Sequence, residues 1–89
     1  MKKNILLTNV NGTGDDVMVF TTLDADTIAR AYQSPACNPP VTFDECYEVP
    51  ERDVQYYLYE PCWLNPKEEA RARELAAANP NPKPEFVEV

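Results

Sequence analysis

The rhythm of apolar and polar positions changes abruptly at Leu23. Before it, Val17-Met18-Val19-Phe20-Thr21-Thr22 is apolar and β-branched and reads as a strand over 17–22. After it, Ala25, Ile28, Ala29 and Tyr32 fall at i, i+3, i+4 and i+7, the apolar stripe of a helix over 25–33. The helix ends are signalled too. Asp24 is placed to accept from the free amides of the first turn, and Leu23 and Ile28 are spaced as a hydrophobic staple. Asp26 and Arg30 make an i,i+4 pair. Ser34-Pro35 stops the helix, because proline pushes the residue before it out of helical geometry.

Residues 4–10 predict a first strand. The intervening Asn11-Gly12-Thr13-Gly14-Asp15-Asp16 is rich in turn formers, and Asn-Gly is a favoured hairpin pair, so 4–10 and 17–22 are expected to pair antiparallel. The helix would lie across one face of this hairpin. Both faces carry apolar residues, so the pattern does not tell which set meets it.

From Ser34 to Pro50 the prolines at 35, 39, 40 and 50 exclude a regular element over most of the length, with Val41-Thr42-Phe43 a short extended piece. A connection this long without structure is often functional. Residues 53–60 predict a third strand, with Val54, Tyr56 and Leu58 toward the core, Gln55, Tyr57 and Tyr59 on the other side, and Pro61 closing it. Asn65-Pro66-Lys67-Glu68 is a helix start, with Asn at the cap, Pro at the first helical position and Glu three after the cap. The helix should reach about residue 78, with Glu69 and Arg73 as an i,i+4 pair. Its stripe is thin (Ala72, Leu75, Ala76), which predicts light docking or a place beside a partner. Asn79 to Pro84 reads as an extended spacer, and Glu85-Phe86-Val87-Glu88-Val89 alternates as an edge strand would. The expected fold is α+β: a small antiparallel sheet packed by one helix, with a second, looser C-terminal helix. Residues 1–79 would form a single domain and 80–89 a spacer and tail.

Charge narrows the function. Eight basic against fifteen acidic residues give a formal −7 over 89 residues. That argues against direct nucleic-acid binding, which usually shows a basic patch; it allows a partner that is itself basic, and equally a charge that only keeps a small protein in solution. Nothing approaches the ~20 apolar residues of a membrane span. Ile5-Leu6-Leu7 is followed at once by Thr8 and Asn9, so no export signal is expected, and Cys37, Cys46 and Cys62 read as reduced thiols of a cytoplasmic protein.

Candidate chemistry is thin. Asn9 to Asp15 has an oxygen-bearing side chain at alternate positions and a glycine sixth from Asn9, as a calcium loop does. The twelfth position, however, is Phe20 where a glutamate belongs. The three cysteines lack a Cys-x-x-Cys pair, and the chain has no histidine to complete a zinc site or activate a thiol. No cofactor, metal or catalytic activity is expected. The informative constellation is acids interleaved with aromatics: Asp44, Glu45, Tyr47, Glu48, Glu51 and Asp53 lead into Tyr57, Tyr59, Glu60 and Trp63. Spaced carboxylates can imitate a phosphate backbone, and Tyr and Trp commonly supply interface energy. The plainer alternative, in which Tyr47, Tyr56 and Trp63 are core and the acids a solvated loop, stays open.

In length, charge, hairpin-plus-helix start (Asn4 to Tyr32) and acid-and-tyrosine segment (Asp44 to Trp63), the chain resembles the small acidic inhibitors of phages and mobile elements, anti-CRISPR proteins above all. That resemblance rests on overall profile, not on a motif. It implies a non-enzymatic inhibitor of a basic protein or nucleoprotein complex such as a CRISPR effector. The alternative is a structural or accessory subunit that docks through its C-terminal tail.

Overall fold

The computed structural model describes residues 2–37, 39 and 41–79. The chain is α+β, with a four-stranded mixed sheet in the order β3-β1-β2-β4. β1 (Lys3–Leu7) and β2 (Val17–Thr21) are the central antiparallel hairpin, paired Leu7 to Val17 and Lys3 to Thr21. β3 (Cys46–Glu48) adds antiparallel to β1, and β4 (Glu60–Trp63) adds parallel to β2. α1 (Ala25–Gln33) and α2 (Pro66–Ala77) pack on one face.

The hairpin is shorter than its sequence suggests. Thr8 and Asn9 leave the strand, and Val10–Gly12 forms a 3-10 turn. Asn9, Asn11, Gly12 and Gly14 all take positive φ, between 48° and 83°. Asn and Gly tolerate that region best. The loop's oxygens hold the loop itself: Gly14 N donates to Asn9 Oδ1 at 2.8 Å, and Asn9 N to Asp16 Oδ1 at 3.1 Å.

α1 runs over the expected residues. Asp24 Oδ1 accepts from Thr27 N at 2.8 Å, which holds its carboxyl below the usual range, and Arg30 Nε meets Asp26 Oδ2 at 2.8 Å. Leu23 and Ile28 are buried in one cluster with Ile5, Leu7 and Val19. That settles which alternation of the hairpin faces the helices.

Three expectations fail here. The strand predicted at 53–60 is not one. Glu51–Tyr56 is a 3-10 helix, and the strand begins at Glu60. A 3-10 helix has about three residues per turn, so Glu51, Val54 and Tyr57 align. Glu51 accepts from Asn4 Nδ2 at 2.9 Å, while Val54 and Tyr57 pack on the sheet. The predicted core residues Tyr56 and Leu58 are instead 78% and 94% exposed, and Tyr59, assigned to the surface, packs on the sheet. Second, Pro61 does not close a strand but lies within β4. β4 is an edge, where a missing amide is tolerated. Third, the extended piece expected at Val41-Thr42-Phe43 is not a strand; the strand in this otherwise irregular stretch is β3, at Cys46–Glu48.

The path explains the 3-10 segment. β3 and β4 are opposite edges, about 14 Å apart at three strand spacings. The chain between them must cross β1 and β2, and the helices occupy the other face. Val49, Val54, Tyr57 and Tyr59 therefore cover Leu6, Met18 and Phe20 on the face away from α1 and α2.

α2 is not loose. Asn65 and Glu68 form the capping box, and Ala72 and Ala76 are small enough to bring the helix into close contact with the core. Glu69 does not pair with Arg73. Its buried Oε2 accepts from Thr21 Oγ1 at 2.5 Å, Thr22 N at 2.6 Å and Thr22 Oγ1 at 2.9 Å. The ion pair on this helix is Arg71 with Glu74, at 3.2 Å. The tail over 80–89, with its edge-strand expectation, lies outside the described residues.

The donors from Thr21 and Thr22 favour the charged carboxylate and hold Glu69 down at about 2, below its ordinary 4.5. A depressed carboxyl contributes stability above the unfolded value and loses it as pH falls through the folded one. Glu69→Gln is therefore expected to lower Tm at pH 7. The gap to wild type should close as pH falls from 4.5 toward about 2. Thermal unfolding across that range checks this; a gap that persists at the acid end would assign the loss to packing and not to charge.

Candidate functional site

The predicted partner-binding residues separate into three places. Asp44, Glu45, Tyr47 and Glu48 lie in and before β3, at one edge of the sheet. Asp44 Oδ2 accepts from Asn9 Nδ2 at 3.2 Å, and the Glu45 amide donates to Thr8 Oγ1 at 2.9 Å, so both belong to the seam with the β1–β2 loop. Glu51 and Asp53 lie on the 3-10 helix. Tyr59, Glu60 and Trp63 lie in and before β4, at the opposite edge. The acids thus do not share one face.

The rings do. Tyr47, Tyr57, Tyr59 and Phe20 belong to the cluster on the face away from the helices. Trp63, opposite Phe20 in the register, stacks on it at 4.1 Å between ring centroids and 21° between planes. Tyr59 meets the same ring edge-on at 6.0 Å. Tyr47, Tyr57 and Tyr59 are half-buried, whereas Trp63 is 66% exposed. Its indole therefore serves two surfaces, Phe20 beneath and solvent above.

At the β4 margin large exposed apolar groups and carboxylates meet. Leu58 and Tyr59 line a groove with Gly14, Asp15, Asp16 and Glu60. Leu58 projects almost wholly into water just before β4, and Trp63 stands at its far end. The sequence reading missed Leu58, which strand alternation assigned to the core, and Asp15 and Asp16, which it weighed as turn formers and, for Asp15, as part of a calcium-like loop, but not as a partner-binding surface. No local signal brings the β1–β2 loop beside Leu58. The parallel pairing of β4 with β2 does, because the Glu60 amide donates to the Asp16 carbonyl at 2.9 Å.

The cysteines share no centre across the sheet. Cys46 lies on β3 and Cys62 on β4, on opposite edges. Cys46 donates to the Ala25 carbonyl at 3.6 Å, and burial pushes its thiol up to about 12. Among the described residues no group of three or more His, Cys, Asp or Glu side chains is placed to hold a metal ion. None of the described helices is long and apolar enough to cross a membrane.

Exposure separates structural from contact roles. Trp63→Ser is expected to cost at least about 1 kcal/mol, through the lost ring contact. Leu58→Ser should stay within about 0.5 kcal/mol of wild type, as surface changes do. Urea unfolding of the two variants measures both. Comparison with protein families, with curated proteins and with solved structures gives no match for this chain.

Proposed function

We propose that the protein is a non-catalytic binding module that docks on a positively charged protein surface through its β4 margin. The observation that carries this reading is Leu58, 94% exposed beside Asp15, Asp16 and Glu60 in a chain of net charge −7. An apolar side chain held in water gains by burial in a partner, and a carboxylate rim selects a cationic one and speeds its approach. Trp63, already anchored on Phe20, adds an aromatic contact at little cost in entropy.

In its specific form, which follows the resemblance drawn from the sequence, the module is a cytoplasmic inhibitor that occludes the basic nucleic-acid-binding surface of a host defence complex. The negative charge supports this form, since it repels nucleic acid while matching the surface that nucleic acid would occupy. The acids at the β3 edge contribute to long-range steering and not to the contact.

Immobilised wild-type protein is expected to retain from a host lysate a basic protein that then fails to bind nucleic acid, and to release it as salt rises. The Leu58→Ser, Glu60→Lys double variant should retain it at least about tenfold more weakly, a loss of ~1.4 kcal/mol. Glu48→Lys, at the far edge, should retain it nearly as well. Equal retention by the double variant would remove the β4 margin as the interface.

A further inference from the structure

Resting on the reading of the β4 margin as a docking face, we propose that its occupant is an extended segment of a basic partner, added to β4 as a fifth strand. The backbone sets this up. Glu60 and Leu64 donate their amides to the carbonyls of Asp16 and Phe20, at 2.9 and 3.2 Å. Cys62, opposite Val19, stands between them in the register. These three residues therefore turn their backbone groups toward β2, and Pro61 and Trp63, in alternation, turn theirs to the open side of the sheet. Pro61 has no amide to leave unpaired, which is why proline is tolerated there. Among the described residues no strand pairs on that side of β4, so this edge presents the carbonyls of Pro61 and Trp63 and the amide of Trp63.

The side chains flanking that edge define the chemistry of the added strand. Toward the face away from the helices, its residues would lie beside Pro61 and Trp63, where an apolar group packs or a guanidinium stacks on the exposed indole. Toward the helix face, one basic residue would meet Glu60, and the next on that face would lay its methylene stem over the groove of Tyr32, Cys62, Leu64 and Leu75 with its charge toward Glu68; Arg71, which also lines this groove, is paired with Glu74. A segment that alternates basic and apolar residues satisfies both faces. A second copy of this chain does not fit, because it brings its own net charge of −7 and an edge from which Pro61 has removed a donor.

The test uses the full chain, titrated with a short peptide alternating lysine and valine and followed by amide hydrogen exchange. Binding should slow exchange of the Trp63 amide at least about tenfold, a change of ~1.4 kcal/mol in protection. N-methylation of alternate peptide amides, which blocks strand pairing but leaves side chains and charge, should weaken binding by a similar factor. A glutamate–valine peptide should not bind. Strand addition is overturned if the peptide binds with the Trp63 amide unchanged, if the methylated peptide binds as well, or if no binding occurs. It is also overturned if the chain self-associates through this edge, or if binding appears only after residues 80–89 are deleted. The docking reading itself is judged separately, by whether Leu58→Ser, Glu60→Lys loses its protein partner.

Discussion

A two-stranded hairpin that is apolar on both faces cannot stand in water on either side. Ile5, Leu6 and Leu7 on β1 are all buried, as are Met18, Val19 and Phe20 on β2. Strand geometry sends neighbours to opposite faces, so each face of the sheet needs its own cover. The rest of the chain meets that requirement. α1 and α2 cover Ile5, Leu7 and Val19. The crossing between β3 and β4 covers Leu6, Met18 and Phe20 with Val49, Val54 and two tyrosines.

The second cover is thinner than the first, and the candidate site follows from that difference. Two helices bury their face; a six-residue 3-10 helix and a short extended link do not extend across the whole of the other. Trp63 closes the gap over Phe20 with one side of its ring and leaves the other side to solvent. Leu58 lies in the link just before β4 and stays almost wholly exposed. The exposed apolar groups are consequences of how the chain crosses its own sheet, and they lie beside the carboxylates of the β1–β2 loop because β4 pairs parallel to β2.

Glu69 shows how a thin apolar stripe can still dock a helix. Ala72 and Ala76 contribute little area but permit close approach. The carboxylate gathers the donors at the end of β2, so that its buried Oε2 accepts three hydrogen bonds. Helical spacing alone paired Glu69 with Arg73, because an i,i+4 rule knows only the helix on which both residues sit. The partners that Glu69 found are nearly fifty residues away along the chain.

Local rules were sufficient wherever both partners were local. α1 with its Asp24 cap, the Asp26–Arg30 pair and the capping box of Asn65 and Glu68 depend on residues a few positions apart, and the antiparallel hairpin on strands joined by one turn-rich loop; all were legible. Alternation at Val54, Tyr56 and Leu58 was misleading, because a 3-10 helix aligning every third residue suits the same letters when there is a sheet face to cover. The acid-and-aromatic segment was visible as composition, but its division between two sheet edges was not, since strand order depends on pairings between distant residues. By itself the sequence determined the two-faced hairpin, the helices and the charge. Only the tertiary structure decided which rings turn inward and which apolar groups remain in water, because burial is settled by what crosses over a residue and not by its neighbours in the chain.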